Sequence, residues 1–97
     1  MSTTTAKPRA YILKVSGEEV PLEPKNGTDF QLVELQAVVG GCIEIHYLPD
    51  DKVIVLNEEG MREKLPVNPA ATVYAHNLFN LNGILGDVLI CDSDMIR

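Results

Sequence analysis

Three stretches of the chain alternate their side chains with the two-residue period of a strand. In residues 11–15, Tyr11, Leu13 and Val15 fall on one side, with Ile12 and Lys14 on the other. In residues 42–48, Ile43, Ile45 and Tyr47 oppose Glu44 and His46. In residues 61–65, Arg62 and Lys64 would face solvent. Two further runs, 53–56 and 88–91, are apolar throughout, the pattern of strands covered on both faces. Ser16-Gly17-Glu18 reads as a turn, after which residues 19–22 return as a hairpin partner. Pro21 and Pro24 limit that partner to an edge, since proline donates nothing to a ladder.

Two segments carry helical spacing. Phe30, Val33 and Ala37 stack along one side, and Leu32, Leu35 and Val39 beside them, as an apolar stripe expected to pack on a sheet. Thr28 is the expected N-cap, with Gln31 at N3 as its capping-box partner. Gly40-Gly41 is the expected stop, because glycine takes the left-handed cap without a Cβ clash. In the second segment Asn68 caps and Pro69 occupies N1, followed by Ala70, Val73, Tyr74 and Leu78. Residues 77–83 are Asn-rich and read as a loop. Turns at Pro49-Asp50-Asp51 and at Asn57-Glu58-Glu59-Gly60, the latter with Gly60 left-handed, make residues 42–65 a three-stranded meander. The expected order is ββαβββαβ: an α+β domain with a single, mostly antiparallel twisted sheet and both helices on one face. Residues 1–9 read as a flexible arm and 10–97 as one domain.

Composition narrows the function classes. Fourteen acidic against eight basic side chains give a net charge of −6. No Lys or Arg lies between Lys25 and Lys52 or between Lys64 and Arg97, so a nucleic-acid backbone would meet no basic cluster. Acidity allows the opposite reading, a protein that imitates DNA, although such mimicry calls for denser carboxylate rows. No apolar run approaches the ~20 residues that cross a bilayer, and the Ser/Thr-rich start lacks the apolar core of a secretory signal. A cytoplasmic protein without a membrane role is expected, with Cys42 and Cys91 as buried, reduced thiols.

Candidate chemistry is sparse. His46 and His76 have neither Cys-x-x-Cys nor His-x-x-x-His spacing around them, so no metal or cofactor is expected. Cys42 and His46 share a strand face but stand ~13 Å apart at ~3.3 Å per residue, too far for a nucleophile and its base. No phosphate-cradling glycine loop opens a helix, and the residues fit no hydrolase or kinase pattern, so no catalysis is expected. The polar turn Asn57-Glu58-Glu59-Gly60 is the first binding candidate. The N-terminus of the second helix, at Asn68, would add free backbone N–H groups suited to a phosphate if it lay alongside. Asn82 and Gly86 complete that set for a nucleotide ligand. The competing reading is that Asn57 bonds its own turn and the two Glu side chains are merely solvated.

Four motifs together resemble a family of small proteins of unknown function from bacteriophages, plasmids and integrative elements. They are Val38-Val39-Gly40-Gly41-Cys42-Ile43-Glu44, Asn57-Glu58-Glu59-Gly60, Leu65-Pro66-Val67-Asn68-Pro69-Ala70 and Gly86-Asp87-Val88-Leu89-Ile90, spread over residues 10–92. The resemblance implies a mobile-element origin and a stand-alone protein, but no activity. The leading expectation is therefore a non-enzymatic accessory protein that binds a host or element protein, or a second copy of itself. Alternatives are a small-molecule binder that sequesters a signalling nucleotide, and an acidic DNA mimic.

Overall fold

The computed structural model describes residues 9–48, 50–75 and 84–96. Residues 1–8 of the expected arm, the Asn-rich loop with Asn82, and His76 lie outside the described residues. The elements in chain order are β1 (Ala10–Leu13), β2 (Glu19–Pro21), α1 (Leu32–Val39), β3 (Ile43–Leu48), β4 (Lys52–Asn57), α2 (Pro69–Ala75) and β5 (Val88–Asp92), then a 3-10 turn at Ser93–Met95. All five strands join one antiparallel sheet in the order β2-β1-β5-β4-β3.

The expected third meander strand, residues 61–65, is not one. The side of β4 away from β3 is taken by β5, with Val53 opposite Cys91 and Val55 opposite Leu89. Residues 59–65 close into turns instead. The Glu63 N–H donates to the Glu59 carbonyl at 2.9 Å, Lys64 to Met61 at 3.1 Å and Leu65 to Gly60 at 3.0 Å. These backbone groups are satisfied locally, so no ladder needs them. The left-handed residue here is Lys64, at φ 56°, rather than Gly60.

Alternation along the strands splits the core in two. On one face α1 lays Leu35 and Val39 over Ala10, Val53, Val55, Leu89 and Cys91, with Phe30 and Met95 closing the margin. On the other, Tyr11, Leu13, Ile54, Leu56, Val88 and Ile90 pack with Ala71 of α2 and with Ile84. The helices thus flank opposite faces, which corrects the expectation of both on one. The second face offers too many large apolar side chains to be left to water. Val53, Ile54, Val55, Val88 and Leu89 are all fully buried, as their unbroken hydropathy requires.

Helix α1 begins later than Thr28. The Asn26 side chain accepts from the N–H groups of Thr28 and Asp29 at 2.8 and 2.9 Å. The Phe30 N–H donates to the Met95 carbonyl at 2.8 Å. With those donors engaged, the helix starts after Gln31, and Glu34 reaches back to the Gln31 N–H at 2.9 Å. Gly40, at φ 83°, ends it as expected.

Candidate functional site

The polar turn after β4 is an internal junction. Asn57 is 4% exposed. Its amide donates to the Val39 carbonyl and to Glu63 Oε1, both at 3.1 Å, and its carbonyl oxygen accepts from the Glu59 N–H at 2.7 Å. The Glu58 N–H donates to the Cys42 carbonyl at 2.9 Å. The two central motifs therefore make one unit: the end of α1 and the start of β3 are stitched to the end of β4. A Cβ on Gly41 would lie 3.1 Å from Asn57 Nδ2, so a side chain there would press on the junction. Glu59 sits 3.4 Å from Arg62, and Glu58 is exposed. Glu63, which completes the junction, is missed by a reading that places it in a strand.

Asn68 forms a second junction. It is fully buried. Its amide donates to the carbonyls of Leu13 and Gly86, each at 2.9 Å, while its side-chain oxygen accepts from the Ala71 N–H at 3.0 Å. Its backbone N–H donates to the Ile84 carbonyl at 2.7 Å, and the Thr72 N–H and hydroxyl both return to its own carbonyl. Asn68 caps α2 as expected, but the cap faces inward, and the side chain itself occupies the helix N-terminus. Gly86, at φ 81°, lies against Leu65 so closely that a Cβ would stand 2.9 Å from Leu65 Cδ1. Gly60 fits beside Leu85, where a Cβ would come within 3.1 Å. The Val67–Leu85 bridge lies between these two glycines. The last two motifs are thus bound to each other as firmly as the first two.

Charge gathers at the other end of the sheet. Asp50, Asp51, Asp92, Ser93 and Asp94 line an open hollow of about 290 Å3. Asp50 and Asp51 both hold positive φ, at 64° and 57°, in the β3–β4 turn. Asp92 bonds Lys52 and, at 2.7 Å, Arg9, which also meets Asp94 at 2.8 Å. These cations, Lys52 first, hold the Asp92 carboxyl below its usual range. On β3, His46 Nε2 lies 2.5 Å from Glu44 Oε2. Among the described residues no cluster of His, Cys, Asp or Glu could hold a metal ion. Cys91 is buried and its thiol is pushed up to about 12 by desolvation; Cys42, expected to be buried, is exposed. No helix among the described residues is long and apolar enough to cross a membrane.

Several large apolar side chains stand in solvent: Leu32 and Val33 of α1, Tyr47 of β3, Met61, Val67 and Val73. Leu32 and Val33 were expected to pack against the sheet. Neither the comparison with curated proteins nor that with solved structures finds a match. A family model does, over residues 9–95, a span that holds all four motifs and both junctions. The chain belongs to the DUF3846 family, a domain of unknown function.

Proposed function

We propose that this protein acts by holding another protein rather than by catalysis, as an accessory protein of a phage or mobile element that binds a protein of its host or of the element. The observation that supports this reading is the outer side of α1. Leu32 and Val33 are 58% and 69% exposed, and Ala37, one turn beyond Val33, is exposed as well. The outward side of a surface helix is ordinarily polar, and an apolar one marks a contact surface. Meanwhile the amides that looked suited to a ligand, those of Asn57 and Asn68, are spent on internal bonds.

The test is a photo-crosslinking residue at position 33, introduced in cells that carry the element, with exposed Glu19 on β2 as the control position. A discrete adduct from position 33 is expected. It should disappear when Leu32→Glu accompanies it, with the fold intact by circular dichroism. Identical patterns from positions 33 and 19 would sink the reading.

The nucleotide alternative draws less support. A phosphate at Asn68 would compete with carbonyls already bonded to that amide, and the acidic hollow repels anions. The DNA-mimic alternative is weakened where Arg9 and Lys52 neutralise part of the hollow's charge.

A further inference from the structure

Strand β3 forms one margin of the sheet, and among the described residues no strand pairs with its outer side. The opposite margin is protected. Strand β2 has three residues and ends in Pro21, which are common ways of blunting a sheet edge. Strand β3 has six residues, without proline, glycine or lysine.

The direction of each backbone group on β3 follows from one bond. The Glu58 N–H donates to the Cys42 carbonyl, and residues 42 and 58 continue the β3–β4 register of Ile43 with Asn57 and Glu44 with Leu56. Hydrogen-bonded pairs alternate along an antiparallel ladder. Glu44, His46 and Leu48 therefore spend their N–H and C=O groups on β4. Those of Ile43, Ile45 and Tyr47 point away from the sheet.

We infer that the occupant of this edge is β3 of a second copy, running antiparallel about a two-fold axis at Ile45. Three in-phase registers are worth comparing. Centring the axis on Glu44 sets carboxylate against carboxylate, and like charges directly opposed destabilise a sheet. Centring it on His46 sets imidazole against imidazole and leaves each Glu44 facing Leu48 instead of an imidazole. Only the axis at Ile45 brings Glu44 of each copy opposite His46 of the other. It also uses all three outward residues without recruiting Pro49, which has no N–H to give. Ile45 pairs with its own copy and Ile43 with Tyr47, giving about six hydrogen bonds, two for each bonded pair. Glu44 and His46 fall in the non-bonded pairs, where Cα atoms approach to ~4.5 Å and side chains lie closest. Within one chain Glu44 and His46 already touch, so pairing assembles an alternating cluster of two carboxylates and two imidazoles. On the other face Tyr47, 73% exposed in the single chain, gains Ile43 of the partner copy as a neighbour. The result is one continuous ten-stranded sheet, twice the five strands of one chain.

The inference rests on the reading that the protein works through protein contacts, but it uses a surface separate from Leu32 and Val33. The experiment is sedimentation equilibrium on the purified full chain from about 1 μM to 1 mM. The expected mass rises from 10.7 kDa toward twice that value. Tyr47→Pro removes an outward N–H that takes no part in the β3–β4 ladder and should raise the dimer dissociation constant at least tenfold. His46→Glu, which opposes carboxylates across the axis, should do the same, and adding Glu44→Lys should restore dimerisation. Circular dichroism verifies that each variant is folded. A mass of 10.7 kDa at every concentration overturns the inference, as does a dimer indifferent to Tyr47→Pro. A monomer that still gives a specific adduct from position 33 would remove self-pairing alone; a dimer without that adduct would remove the host-partner reading alone.

Discussion

Single residues carry much of this fold because so many of its backbone groups meet at two asparagines. Asn68 ties the end of β1, the first turn of α2 and the approach to β5 through one buried amide. Asn68→Ala would take the side-chain partner from two carbonyls and one N–H, and a buried group left unpaired costs ~1–3 kcal/mol. A loss of roughly 3 kcal/mol or more is expected from urea melts, and a loss below about 1 kcal/mol would show that water replaces the amide. Asn68→Asp should also destabilise, since a carboxylate accepts and cannot donate to the carbonyls of Leu13 and Gly86. Gly86 is constrained twice, by its positive φ and by Leu65. Gly86→Ala should cost about 1–2 kcal/mol for the left-handed backbone alone. Pairing it with Leu65→Ala relieves the clash but not that term, so the double variant should fall short of what independent effects add up to. Full additivity in the melts would count against the contact. The capping role of Asn68 is legible in Asn68-Pro69. Its two long-range bonds are not, because nothing local shows that Leu13 and Gly86 converge on it.

At the scale of elements, the strands are read from the sequence more faithfully than the helix start or the meander. Periodicity two identifies β1 and β3, and unbroken hydropathy identifies β4 and β5, because burial of one face or both is what the pattern encodes. Thr28 misleads because Asn26 captures the N–H groups around it, a local competition that favours a turn over a helix. Residues 61–65 mislead because alternation cannot say which neighbour a strand will find. The place beside β4 goes to β5, some thirty residues on, whose side chains suit a doubly covered position better than Arg62 and Lys64 do. The β1, β4 and β5 ends are further clamped by Asp92 between Arg9 and Lys52. Because the folded protein lowers the Asp92 pKa, its contribution is complete above the unfolded value near ~4 and is lost as pH falls through the folded one. Arg9 is largely in solvent, so Asp92→Asn should cost no more than about 1 kcal/mol at pH 7. The gap between wild type and variant should narrow as pH falls below the unfolded value and close once the carboxyl is protonated in the folded protein as well. A gap that persists beyond that point would mean the carboxylate acts by something other than its charge.

Taken whole, the molecule is a sheet with a core on each face, and its two thiols report on those surroundings differently. Cys42 stands in solvent, whereas Cys91 lies under α1 with its thiol held protonated to about pH 12. A disulfide reagent at pH 8 should modify one thiol within seconds to minutes and the second only at the rate of opening. Both thiols reacting in a single fast phase would mean that α1 does not seal that face. Ile54→Ala, fully buried under the opposite face, should cost ~2–5 kcal/mol. It should also speed the second phase, provided the two layers open as one cooperative unit.

The central strand of the sheet is β5, the last strand in chain order, and each of its sides receives a hairpin made much earlier. During synthesis those two hairpins leave the ribosome with nothing to join them. Each keeps an open, apolar margin until residues 88–92 arrive and slot between them. Assembly is therefore a late event dominated by distant pairings, which folds slowly for its size. In that interval nascent chains are at their most prone to stick to one another, and anything that stalls translation before residues 88–92 emerge would strand two half-sheets rather than one joined sheet.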